Sequence, residues 1–213
     1  SRHITFNDGA MIGAISVLDD VAKGRSPFEW AALGLRERAR NAVARGIECI
    51  LRCQIVVGGQ RTAWCQQHDE TEFHPRGARS FEPPAICSAE SVGVVRFLMS
   101  IDEPEPEVVD AVEAAVAWLG GPARITGVRK VNDRESGPRL VEDAGAPPLW
   151  ARLYEIGSNR PIFGDRDGEV HYELSEISEE RRRGYSWYVS TPRELLEEEY
   201  PVWRERRVIQ DEQ

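Results

Sequence analysis

Three polar stretches of this chain hold side chains able to do chemistry. Ser1-Arg2-His3-Ile4-Thr5-Phe6-Asn7-Asp8 ends on an amide and a carboxylate, and Trp64-Cys65-Gln66-Gln67-His68-Asp69 ends on a second carboxylate. Asp69 is a hard oxygen donor of the kind a calcium-like cation takes; its plainer role is a turn residue. The plainer role of Asn7 or Asp8 is to cap the helix that follows. The third stretch, Trp150 to Gly168, spaces Arg152, Arg160 and Arg166 among aromatics and glycines. Guanidinium groups between rings suit an anion cleft with stacking walls, and compete there with surface ion pairing to Glu155, Asp165 and Asp167. Asp165-x-Asp167-Gly168 with Glu176 imitates an EF-hand loop. It fails, because Val170 stands where that loop needs its glycine. Tyr185, Trp187, Tyr188, Tyr200 and Trp203 suit either a core or the face of a sugar.

The elements that must position these residues are read from periodicity. Met11, Ile12, Ile15, Leu18 and Val21 recur at helical spacing and predict a helix over Ala10 to Val21, ended by Lys23-Gly24. A second helix is predicted from Glu29 to Cys53, with Trp30, Leu33, Leu35, Ala39, Val43, Ile47, Ile50 and Leu51 on its apolar side. Gln54 to Trp64 changes period around Gly58-Gly59 and reads as a hairpin. Gln66 to Cys87 reads as a long loop, by its length either functional or poorly ordered. Helices are predicted over Ser88 to Ser100, Glu107 to Leu119, from a Ser175 cap through Arg183, and from Arg193 to Arg206; Arg124 to Val141 is β-like. The expectation is a mostly α protein with strands mainly in 55–64 and 124–141. Cys49, Cys53, Cys65 and Cys87 match no zinc spacing and are read as buried free thiols, with a Cys65–Cys87 bridge as the alternative.

At 213 residues the chain fits one domain, and 41% hydrophobic residues suffice for a core. The 27 basic against 36 acidic side chains give a net charge of −9, which argues against a nucleic-acid binder. A local arginine cluster or a bound cation can still reverse the field within one cleft. No apolar run approaches the roughly 18 residues of a membrane span, and no secretory signal is recognised.

Five segments taken together resemble one family: HITFNDGAM (His3–Met11), RTAWCQQHD (Arg61–Asp69), ESVGVVRFLM (Glu90–Met99), PLWARLYEIGSNRPIFGDRDG (Pro148–Gly168) and EISEERRRGYSWY (Glu176–Tyr188). In this order they are similar to the pectate lyases of polysaccharide lyase family 10. Val128–Ala146 matches least.

The resemblance implies a single lyase domain over residues 1–213, built as an incomplete (α/α) barrel or toroid with short β-hairpins in its connections. The family's N-terminal glycine- and tryptophan-rich segment is not recognised in it. It implies calcium-assisted anti β-elimination of polygalacturonate with an arginine as base. Asp8 and Asp69 become the expected metal-binding acids, meeting at the groove floor. The base is expected at Arg160 or Arg152, with Arg160 favoured because its Asn-Arg-Pro loop should be open. Asn7, Arg79, Arg166 and Tyr154 are expected to meet substrate. A monomer, secreted or periplasmic and without membrane or nucleic-acid partners, completes the expectation. The alternatives are a relative that only binds acidic polysaccharide, and a helical-barrel glycoside hydrolase.

Overall fold

The computed structural model describes residues 2–133 and 137–211. Four helices carry the N-terminal half: α1 (Ala10–Lys23), α2 (Leu33–Cys53), α3 (Ser88–Met99) and α4 (Pro106–Gly120). α1 lies along α2, and α3 packs against both α1 and α4. Val92, Val95 and Leu98 of α3 meet Val108, Val112 and Leu119 of α4 in the main core. Two large rings seal it, and neither leaves its N–H unpaired. Trp64 Nε1 donates to the Ile50 carbonyl and Trp150 Nε1 to the Leu119 carbonyl, both at 2.8 Å.

α2 begins at Leu33 rather than Glu29, and its first apolar residues stay outside: Trp30 and Leu33 are 72% and 85% exposed. Its buried stripe starts at Ala39. The Arg36 side chain folds back instead, donating to the carbonyls of Ala31 and Glu29, so the chain before α2 is a turn held by the helix.

The C-terminal half overturns the incomplete barrel. Helix accounts for 45% of the chain and strand for 19%, and among the described residues no closed ring of helices forms. After α4 come a hairpin, Val128–Asp133 with Gly137–Glu142, and a set of short antiparallel ladders. Ile86–Cys87, Leu153–Tyr154, Pro161–Gly164 and Val170–His171 form one four-stranded sheet; Trp150–Ala151 pairs with Tyr188–Val189. A second core of Leu153, Ile162, Phe163, Leu174 and Trp187 lies beneath that sheet. The remaining helices are short: α5 (Glu179–Gly184), α6 (Thr191–Glu194) and α7 (Tyr200–Asp211), the last two joined by a π turn. A ring of helix pairs needs helices of similar length along the whole chain, and the described residues of 121–190 supply α5 and a single 3-10 turn at Leu174–Glu176. Ser178, not Ser175, caps α5, its hydroxyl accepting from Arg181 N–H. All four cysteines are free, three of them buried. Among the described residues no helix is long and apolar enough to cross a membrane.

Candidate active site

The N-terminal strand and the Gln66–Asp69 stretch are one ladder. Ile4 lies opposite His68 and Thr5 opposite Gln67, and the N–H groups of Phe6 and Asn7 both donate to the Gln66 carbonyl. Asp8 follows in a left-handed conformation, φ 53°, which a short polar side chain tolerates better than most. It stands on the wall of a cleft of about 620 Å³. The same wall carries Arg79, Lys130, Arg152, Arg182 and Arg183, against the carboxylates of Asp8 and Asp133. A chain of net charge −9 therefore carries one cleft whose wall has five cations against two carboxylates, a local field suited to an anion.

Arg152 reaches this cleft because its strand changes partners there. Residues 150–151 pair with Tyr188–Val189 and residues 153–154 with Ile86–Cys87, so Arg152 sits at the corner between two sheets. Its N–H donates to the Trp187 carbonyl and its own carbonyl accepts from Ser88. The guanidinium donates to Glu90 Oε1 at 2.7 Å and to the Ser186 carbonyl at 3.1 Å, and lies over the Tyr185 ring. Burial pulls its pKa down, but the charge of Glu90, aided by Tyr185 and Cys87, outweighs burial and holds it above the ordinary arginine value.

Arg79 is held by a second acid. Its Nε and Nη2 donate to the two oxygens of Glu82 at 2.7 and 2.6 Å, a bidentate pair on a carboxylate sealed from solvent. This contact raises Arg79, and with Tyr185 it holds Glu82 below the usual carboxylate range despite burial. The two arginine–acid pairs are joined. Tyr185 Oη donates to Glu82 Oε1 at 2.8 Å and accepts from Gln66 Nε2, which also donates to Glu90. Burial keeps the Tyr185 hydroxyl protonated. Glu82, Glu90 and Gln66 were not among the expected site residues, and Tyr185 was read only as a core ring or a sugar face. Gln66, Glu90 and Tyr185 stood within the matching segments, but nothing in a single sequence pairs residues so far apart.

The other expected residues separate from this cleft. Asp69 turns its carboxylate onto its own loop, accepting from the N–H groups of Thr71 and Glu72 at 2.9 Å and from Arg76 at 3.2 Å. Those amides, with Arg76, hold it down to about 2. It does not meet Asp8. Asp8 lies beside Gln66, and three strand residues, roughly 10 Å, lead from there to Asp69. Tyr154 is 1% exposed, and its hydroxyl accepts from Ala151 N–H at 2.7 Å and donates to the Ala123 carbonyl, so it packs the core rather than a substrate. Arg160 stacks at 3.9 Å on Tyr172, in a loop outside the cleft. Arg166 pairs with Glu180 through two hydrogen bonds at the surface.

A calcium site asks for several hard oxygen donors in one place. Among the described residues no group of three or more His, Cys, Asp or Glu side chains gathers to hold a metal. Two oxygens do fit a hard cation: Asp8, on the cleft wall where its charge also acts on Arg79, and its neighbour Asn7, whose buried Oδ1 has no partner. Asp69 does not fit, being filled by its own turn.

Residues 1–196 match the family model described as pectic acid lyase. Two solved structures are similar at 36% identity. One is a family 10 polysaccharide lyase from Cellvibrio cellulosa, with a TM-score of 0.86 over 92% of this chain. The other is a mutant of that enzyme in complex with trigalacturonic acid, with a TM-score of 0.85 over 91%. This chain spans 61% of the length of each. No curated protein matches it.

Proposed function

The chain belongs to the pectic acid lyase family, and from that premise we propose that it cleaves polygalacturonate by β-elimination in the Arg152 cleft. The observation that carries this reading is Arg152 itself, fixed by Glu90 and Ser186 inside a cationic, ring-walled cleft. The similar enzyme bound to trigalacturonic acid supports the same class of substrate.

Elimination removes the C5 proton of a uronate and breaks the C4–O bond, leaving an unsaturated end. That proton is α to a carboxylate and weakly acidic, so the charge developing on the carboxylate must be met. Arg79, anchored by Glu82, provides a fixed fork for a substrate carboxylate. Arg152 takes the C5 proton; it replaces Arg160 as the base because Arg160 lies on Tyr172, away from the cleft. A guanidinium is protonated in the free protein, so its neutral form must be favoured by the cations crowding the loaded site. Asn7 and Asp8 are the residues that would hold calcium, with substrate carboxylates completing its shell. When bound, calcium would neutralise the uronate carboxylate and acidify C5. A polymer of this size is met outside the cytoplasm, so the proposal extends to a secreted or periplasmic enzyme.

A hydrolase needs an acid and a base or nucleophile across the bond. Glu82 and Glu90 are committed to arginines, which weighs against it. The test is ultraviolet absorbance on mixing the protein with polygalacturonate, with and without calcium. Unsaturated ends support elimination. New reducing ends without that absorbance refute it.

A further inference from the structure

The catalytic cleft does not end at its own wall. Lys130, Ser186 and Tyr188 line it and also line a neighbouring slot of about 420 Å³. Pro148, Leu149 and Tyr188 give that slot an apolar floor, and Arg129, Lys130 and Arg193 stand at it. Lys130 marks the junction, its Nζ donating to the Tyr188 carbonyl at 3.4 Å. The floor and the cleft are parts of one ladder: Tyr188 lies opposite Ala151, next to Arg152. Their relative position is therefore set by backbone pairing rather than by mobile side chains.

Resting on the lyase reading above, we propose that this slot is a further binding site for the same acidic polysaccharide, engaged by chains too long for the cleft alone. A uronate ring has an apolar C–H face and a charged rim. An apolar floor with an aromatic edge takes the first, and guanidinium or ammonium groups take the second. The available cation is Arg193, which is exposed and makes no side-chain hydrogen bond or ion pair among the described residues. Arg129 is engaged by Asp143 at 3.2 Å. Two of the three cations come from the Val128–Asp133 strand. The slot would thus set chain-length preference beside the Arg152 cleft.

Calorimetric titration with galacturonate trimer and hexamer tests this, on the whole chain and its Arg193→Ala variant, with circular dichroism confirming the variant's fold. The wild type should bind hexamer more tightly than trimer. Arg193→Ala should lose about tenfold in hexamer affinity, one charge-assisted contact of roughly 1.4 kcal/mol, while trimer affinity stays within about twofold. Equal wild-type affinity for the two oligomers overturns the slot, as does a variant that weakens both alike or neither. If neither oligomer binds the wild type at all, the lyase reading itself falls.

Discussion

Arg152 Nη1 donates to Glu90 Oε1 at 2.7 Å, and the two side chains are 19% and 8% exposed. Gln66 Nε2 and the Cys87 thiol donate to the same carboxylate. Burial and the Glu90 charge push the Cys87 thiol far up, so it stays protonated and serves as a donor. Glu90 is thus a positioning residue that sets where the Arg152 guanidinium sits and how readily it loses a proton.

Glu90→Ala should therefore cost about 3 kcal/mol of stability, because it leaves a largely buried guanidinium without its acid. Glu90→Gln keeps an acceptor, folds, and lowers kcat. Losing the negative charge also removes what holds Arg152 up, so the limb of the pH–rate profile that reports the base should move to lower pH. A profile unchanged in the Gln variant would separate Glu90 from the chemistry.

Lysine substitutions discriminate the two expected bases. Arg152→Lys should abolish elimination and leave substrate affinity within a few-fold, since charge is kept while reach and fork are lost. Arg160→Lys should leave kcat near wild type, because that guanidinium stacks on Tyr172. Equal, mild losses at both positions would leave the Arg152 stretch as a binding wall only.

The two aspartates should behave oppositely. Asp8→Ala should weaken calcium-dependent binding of polygalacturonate about tenfold or more, losing a charged ligand from a sparse set. Asp69→Ala should leave it unchanged and lower the melting temperature, because the Asp69 carboxylate ties down its own loop. That contribution is present above pH 4, the ordinary aspartate value, and fades as the pH falls towards 2. Calcium titrations of both variants decide the matter.

His68 gives the fold an acid sensitivity at milder pH. Its Nε2 accepts from Cys65 N–H at 3.0 Å, so the proton is on Nδ1, which donates to the Phe73 carbonyl at 2.8 Å. Burial lowers it to about 4. A folded pKa below the unfolded value means that the unfolded chain binds the proton first. Stability is then full above about pH 6.5 and falls by about 3 kcal/mol on going down to pH 4. Denaturant titrations across that window should show the slope, and His68→Gln should flatten it.

What was legible in the sequence follows from which signals repeat. α1, α3 and α4 were readable because apolar residues recur over three or more turns. The Cys87, Leu153 and Ile162 ladder was not, because strands of two to four residues carry too little alternation. The stretch from Gln66 to Cys87 holds three two-residue strands too short to show a period, and its Glu82–Arg79 pair joins the cleft through Tyr185, 103 residues further on. Asp8 and Asp69 looked equivalent as isolated carboxylates. Only the register of Thr5 against Gln67 separates them. Trp30 and Leu33 fit a helical stripe that the fold leaves outside.

The last prediction joins a packing contact to the site. Strand Pro161–Gly164 presses on the loop that holds Arg79, and a side chain at Gly164 would overlap the Phe81 carbonyl group. Glu82 follows Phe81 directly, and the loop closes through Glu82 N–H to the Arg79 carbonyl at 2.8 Å. Backbone cannot yield as a flexible side chain can. Gly164→Ala should therefore push the loop off the strand, at about 2–3 kcal/mol of stability. It should also shift the Glu82 carboxylate that holds both Arg79 and Tyr185. Since Arg79 is assigned to a substrate carboxylate and not to the proton, KM should rise several-fold while kcat changes little. Combined with Arg79→Ala, the KM effects should not add, because both act on one guanidinium. A Gly164→Ala protein with wild-type melting temperature and KM would show that this contact does not position Arg79.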